Sequence, residues 1–587
     1  MALLNQALPD RDVIATLWHT QYSRRLLMVK TIIDAVDADP AVSGPLPPIA
    51  GAVAALEAAE VARPEALRET LLLPTVGSWA AYTLRRLYGF ADADTPLWID
   101  IGVLHTLALL VGFRAGLDWA TFVPVRDGRL MLPGLGMALI DRTVGAGMTR
   151  ARTVRGRLLL EHEDGELLID SSTAGREQSR WWPLRRLRTG HGPGLTLALD
   201  DIDPFRELAE PVPPGRLPAE EALAWSELLV DAWQAIIDQD SRTAAAISAG
   251  MVSLTPLPRV DGGVETSGST GEAFGALLLT RPDDHLTFAV TLIHEFAHVQ
   301  LGGLLHLLDM TGVPDPATHY APWRDDPRPL SGLLQGIYAF VAIAAFWHKR
   351  MSFASGPAAA RAYFEFAHAR GQVTQALDAA RTSTLLTAAG RDLLDGLAGR
   401  AEHWRDLVVP AGPARAAELA LRTHRAGWRL RNLRTDGATV RTVAEAWAAG
   451  REVPPIEDLT DVRPSGDDAW SYPRFRLIQG WATAVAGPRG SSDGVTIDPA
   501  EQALVAGEAS AVRRFADRVA RNGEDLDAWT GLCAAADGAA GVTLSRAPSL
   551  VYAVHDTLRR SGVRADPLAL AEWMAGGLSR AAAASGS

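Results

Sequence analysis

Cysteine is almost missing from this chain. Cys533 stands alone among 587 residues, so no intrachain disulfide can form and the composition fits a reducing compartment. An excess of basic residues is missing too. The net charge of −12 argues against nucleic acid or an anionic membrane as the main partner. The opening residues, Met1-Ala-Leu-Leu-Asn-Gln-Ala-Leu-Pro-Asp10, lack the basic and apolar regions of a secretory signal. Apolar stretches such as Leu330 to Trp347 include Gln335 and Tyr338 and run into His348-Lys349-Arg350. They read as buried helices rather than membrane spans. The expectation is a cytoplasmic protein with neither a nucleic-acid nor a membrane partner.

What is present is ordinary globular material. Hydrophobic residues make up 48% and charged residues 21%, enough for a large core, and the length suits about three to five domains. Apolar positions from Val13 to Ile32 follow a helical period over 11–38, and further helices are expected at 64–71 and 80–89. Residues 118–210 change character and read as a small, mostly antiparallel β region. There, Asp164-Gly165 between two apolar runs signals a two-residue hairpin. Helix resumes over 218–248. A short apolar strand ends at Thr280, and Asp283-Asp284 follows as a helix cap. The division expected is a helical region over 1–117, the β region over 118–210, a metal-binding core over 211–355, a helical region over 356–450 and a second over 465–587. In the last, Glu501 to Ala520 and Leu526 to Ala535 read as one tetratricopeptide-like pair. Cys533, among small residues, is expected to be buried and inert.

The chemistry concentrates in His294-Glu295-Phe-Ala-His298. Residues four apart differ by about 40° around a helix, so both imidazoles can reach one ion. The neighbours Phe288, Val290, Leu292, Ile293 and Phe296 are apolar, which buries the helix and demands partners for its polar groups. A strand followed by the motif helix is the zincin-like order. The fold class expected is therefore α+β and predominantly helical, with a zincin-like strand plus HExxH helix at its core. A zinc peptidase would use Glu295 as general base. Against that reading, the positions where the longer motif needs a glycine and then a third histidine hold Leu301 and Leu304. The downstream helix Leu330–Arg350 contains no Asp or Glu. Its Gln335 sits where a third ligand would sit, and a site of two histidines with a weaker third group suits Fe(II) with open positions better than zinc. Between the helices, Tyr320, Trp323, Arg324 and Arg328 crowd one loop. Their forks match carboxylates, although a proline-stiffened loop with internal Arg–Asp pairs explains them equally well.

The runs His294-Glu-Phe-Ala-His298, Tyr320-Ala-Pro-Trp-Arg-Asp-Asp-Pro-Arg-Pro329 and Gly332-Leu-Leu-Gln335-Gly336 resemble the His-Glu-x-x-His peptide-modifying proteins found beside, or fused to, radical-SAM maturases of ribosomal-peptide clusters. Arg24-Arg25-Leu-Leu, Thr75-Val-Gly-Ser-Trp79, Trp182-Pro-Leu-Arg-Arg-Leu187 and Ser269 to Gly275 look like landmarks of the same family. The resemblance covers roughly residues 10–350 well and the remainder loosely. It implies an iron- and 2-oxoglutarate-dependent β-hydroxylase acting on a ribosomal precursor peptide, with a radical-SAM maturase as a further partner. On that reading Fe(II) binds His294, His298 and a third group, Gln335 or Glu295. Arg324 or Arg328 pairs with the distal carboxylate of 2-oxoglutarate, beside Tyr320 and Trp323. The peptide adds as a strand along Phe274–Thr280, at Phe274, Ala276 and Leu278. The alternative is a zinc metallopeptidase; a helical peptide-binding protein with a structural motif is a third reading.

Overall fold

The computed structural model describes all residues except 1–10, 143, 191, 208–209, 260–265, 314–318, 457–459, 467–469, 484–496 and 586–587, and omits the side chains of 581–585. Helices account for 59% and strands for 13%, so the chain is α+β and predominantly helical, with a helical C-terminal part. It divides into two compact units that meet in sequence between Leu308 and Asp309. That boundary falls inside the 211–355 block expected to be one core.

The N-terminal unit opens with α1 (Arg11–Ala38), α2 (Ile49–Ala62), α3 (Pro64–Leu71), α4 (Pro74–Leu87), α5 (Leu97–Ile101) and α6 (Val103–Ala115). Proline at the first position starts α3 and α4, where its missing N–H costs nothing. Ile32, Val36, Trp79, Tyr82, Leu104 and Leu107 belong to one apolar core among these helices. An antiparallel sheet follows in the order β6-β5-β4-β1-β2-β3-β7. Its strands are β1 (Trp119–Arg126), β2 (Arg129–Leu132), β3 (Gly136–Leu139), β4 (Ala146–Val154), β5 (Arg157–His162), β6 (Gly165–Ile169) and β7 (Trp181–Pro183). The expected hairpin is present, shifted by one residue. Gly165 pairs with His162, so Glu163-Asp164 forms the turn.

The strands β8 (Arg185–Arg188) and β9 (Thr196–Leu199) leave this sheet for a second one, in the order β11-β12-β10-β9-β8. The remaining members are β10 (Ser253–Leu257), β11 (Ser267–Gly268) and β12 (Ala276–Thr280). β10 runs parallel to both neighbours, and β11 closes the described sheet antiparallel to β12. The expected helix at 218–248 is two, α7 (Ala219–Gln239) and α8 (Ser241–Gly250), because the Asp240 carboxylate turns inward to cap the second. The motif helix α9 (His285–Leu305) packs against α7 and α1. That packing, rather than any linker composition, places it in this unit.

Among its described residues the C-terminal unit contains α10 (Leu330–Arg350), α11 (Gly356–Arg381), α12 (Ala388–Glu402), α13 (Ala411–Asn432), α14 (Gly437–Ala448) and seven further helices from Tyr472 onward. α11 packs along α10 and α13. The expected helix Glu501–Ala520 is broken. Gly507, at φ +74°, ends Pro499–Ala506 in the left-handed conformation, and a new helix, Ser510–Arg521, starts after it. Cys533 is buried and its thiol is pushed up to about 12 by burial. Among the described residues three segments, Leu97–Ala115, α9 and α10, are long and apolar enough to cross a membrane by composition. Between 67% and 72% of each is buried inside the protein.

Candidate metal centre

α9 starts where the sequence places it. The Asp284 carboxylate accepts hydrogen bonds from the N–H groups of Leu286 and Thr287, at 2.8 and 3.0 Å. Ten residues into the helix, the His294 and His298 Nε2 atoms converge to 3.1 Å. Their rings lie 4.6 Å apart and nearly perpendicular, at 82°. Two nitrogens at that separation can share one ion with bonds of about 2.0–2.1 Å and an angle near 95–100°. Burial lowers both imidazoles from the ordinary histidine value, His294 to about 4; for His298 the neighbouring His294 adds to the effect and Glu295 opposes it. Neutral rings present lone pairs, the form a metal requires. The pair is not sealed, since 23% of the His294 side chain remains accessible.

Glu295 points elsewhere. It is 1% exposed, and its two oxygens accept from Ser267 Oγ at 2.6 Å and Ser269 Oγ at 2.7 Å. Its carboxylate comes no nearer to His294 Nε2 than 4.0 Å. Both serines belong to β11 and the residue just beyond it, so the buried acid of the motif is tied to the sheet's closing strand. Residues upstream of the motif therefore decide what Glu295 does. Among the described residues, no group of three His, Cys, Asp or Glu is placed to hold a metal. Within this unit the residues fit a centre of two imidazoles with its other positions left to further ligands.

The expected peptide strand needs correction. β12 carries β10 on one edge and β11 on the other at Leu278 and Leu279. Phe274 is fully buried, edge-on to Trp18 at 4.7 Å, and Ala276 is 4% exposed. Phe274, Ala276 and Leu278 are core and sheet residues, and an added strand would meet β11 first.

Gln335, Tyr320, Trp323, Arg324 and Arg328 belong to the C-terminal unit, where each of the four loop residues has a partner. The loop is closed by paired backbone hydrogen bonds between His319 and Arg328. Arg324 Nε donates to Asp326 at 2.7 Å and Arg328 Nη1 to the other Asp326 oxygen at 3.1 Å. The two arginines, either of which is expected to hold 2-oxoglutarate, thus each donate one hydrogen bond to the loop's own carboxylate, and the internal Arg–Asp pairs are present. Tyr320 Oη meets His424 Nδ1 at 2.9 Å, and His424 Nε2 lies 3.4 Å from Asp325. Asp325 in turn accepts from Ser471 Oγ at 2.6 Å. Burial raises the Tyr320 phenol. The Trp323 indole stacks on Phe340, with ring centres 4.4 Å apart and planes 17° from parallel. It also lies over Gly336, where a Cβ would overlap it. Gln335 is half-buried beside that glycine on α10.

Of the upstream landmarks, the Ser269–Gly275 segment lies beside α9 and Arg24 reaches it. Arg25 lies against Gly77, Arg24 Nη1 donates to the Gly271 carbonyl at 3.1 Å, and Gly271 packs on Gly302 of α9. Gly275, at φ +88°, lets the chain pass under Trp18 into β12. No known family model and no characterised protein matches this chain.

Proposed function

We propose that this chain is an iron- and 2-oxoglutarate-dependent enzyme that hydroxylates a side-chain β-carbon of a ribosomally made precursor peptide, with His294 and His298 as iron ligands. A radical-SAM maturase is the partner this role implies. One observation carries the choice of an oxygenase over a peptidase. A hydrolytic centre needs Glu295 free to take a proton from a metal-bound water. Here both of its oxygens accept from serine hydroxyls and the group is sealed from solvent. The carboxylate instead holds β11 against α9. Neutral His294 and His298 would supply two of the three protein ligands of a non-haem iron oxygenase. Bound iron with 2-oxoglutarate would supply the oxygen-activating chemistry.

The test is to purify the protein without air, add Fe(II), 2-oxoglutarate and the precursor peptide encoded beside its gene, and admit oxygen. The expected outcome is a peptide heavier by one oxygen atom, with one succinate formed per turnover. Glu295→Gln is expected to keep hydroxylation within about tenfold while lowering stability by about 1–3 kcal/mol, the worth of hydrogen bonds to a charged group. A peptide cut in the presence of zinc, with cutting abolished by Glu295→Gln, would instead establish a peptidase.

A further inference from the structure

Arg25 is a buried charge in the N-terminal unit. It is 1% exposed, as is Gln21 one turn before it on α1. The Nε and Nη1 atoms of Arg25 are buried with no acceptor among the described residues. Both polar atoms of the Gln21 side chain and the Ser78 hydroxyl are buried without partners as well. The opposing helix, α4, is pared to a glycine at this point, because a Cβ on Gly77 would overlap the Arg25 guanidinium.

Among the described residues the surrounding charges do not balance it. Arg24 is engaged by the Gly271 carbonyl, and Arg85 donates to both oxygens of Glu272 at 3.0 and 3.1 Å. Glu272 attracts Arg25 from a distance and Arg24 repels it. Three guanidinium groups thus share one carboxylate. Burial pushes Arg25 down to about 9, which leaves it charged at neutral pH. A charge taken out of water without a counter-charge is a severe cost, and native proteins pair such groups. Buried water could accept from Arg25 but would leave the charge imbalance in place. An oxyanion meets both needs, giving acceptors to Arg25, Gln21 Nε2 and Ser78 together with negative charge.

We propose that Arg25, with Gln21 and Ser78, forms a buried binding site for a small oxyanion, a carboxylate or a phosphate, between α1 and α4. His306, which feels both Arg24 and Arg25, stands eight residues beyond His298. That is about 12 Å along a helix.

The experiment uses the full chain in EDTA at low ionic strength. Inorganic phosphate and succinate are titrated separately, with chloride at matched ionic strength as control, and binding is followed by calorimetry and by the thermal midpoint. One anion is expected to bind once per chain and to raise the midpoint by several degrees at saturation. Saturation by phosphate alone identifies a phosphoryl-bearing ligand, and by succinate alone a carboxylate. Glu272→Gln, at a partly exposed position, is expected to tighten binding several-fold by removing the competing carboxylate. Arg25→Met is expected to abolish it. The site is overturned if neither anion exceeds chloride, if Arg25→Met binds as the wild type does, or if Glu272→Gln leaves affinity unchanged; the last holds even if Arg25→Met fails to fold.

Discussion

Replacing His298 by alanine is expected to strip the protein of metal and leave it folded. His294 and His298 place two Nε2 atoms 3.1 Å apart, and no third His, Cys, Asp or Glu among the described residues stands ready to replace either. Changes one shell away from a metal commonly cost 10–100-fold in affinity, so losing one of two imidazoles should cost more than about 100-fold. Hydroxylated product should fall in the same proportion. The fold should tolerate the change, since both rings are only partly buried and Glu295, which braces the helix, is untouched. Metal content by elemental analysis and far-ultraviolet circular dichroism together check the expectation. If the rings merely share a proton in a hydrogen bond, the wild type will bind no metal, and the variant will lose only about 1 kcal/mol of stability.

Gly336→Ala is expected to be a strongly damaging single-methyl change in the C-terminal unit. The added Cβ would fall inside the Trp323 indole, which also loses its stacking on Phe340 if it moves. Overpacking alone costs about 1–3 kcal/mol, and displacing a large aromatic ring raises this toward the 3–5 kcal/mol of an aromatic truncation. Urea unfolding followed by tryptophan fluorescence checks the magnitude. The mechanism is checked by the double variant with Trp323→Ala. With the indole gone the methyl has nothing to strike, so the double should be no less stable than Trp323→Ala alone. Additive losses would mean that Gly336 matters for some other reason.

These two cases mark what a local signal can and cannot carry. The motif helix, its Asp284 cap and the spacing of its histidines are determined within fifteen residues, and they stand as read. The role of Glu295 is not local. Its serines lie 26 and 28 residues upstream, on a strand too short to register as periodic. Arg25 and Gly77 meet across 52 residues by helix packing, which leaves no trace in composition. The loop arginines were legible as either ligand or internal pairs, and Asp326 between them settles the pairing through sequence proximity. The boundary after Leu308 adjoins the Pro- and Asp-rich loop at 312–329, but reading the helices on either side of that loop as one metal-binding core passes over it. The pairing of β8 and β9 with the motif strand was hidden, since β10, which joins them, comes some fifty residues later.

The clasp of Ser267 and Ser269 on Glu295 makes the motif non-portable. A peptide of residues 284–305 keeps both histidines and the aspartate cap, yet it leaves Glu295 with no serine donors and an apolar helix with no partners. Transplanting five letters into another helix would therefore carry the ligands and lose the brace. What evolution would have to conserve together is the pentapeptide and a pair of hydroxyls more than twenty residues away.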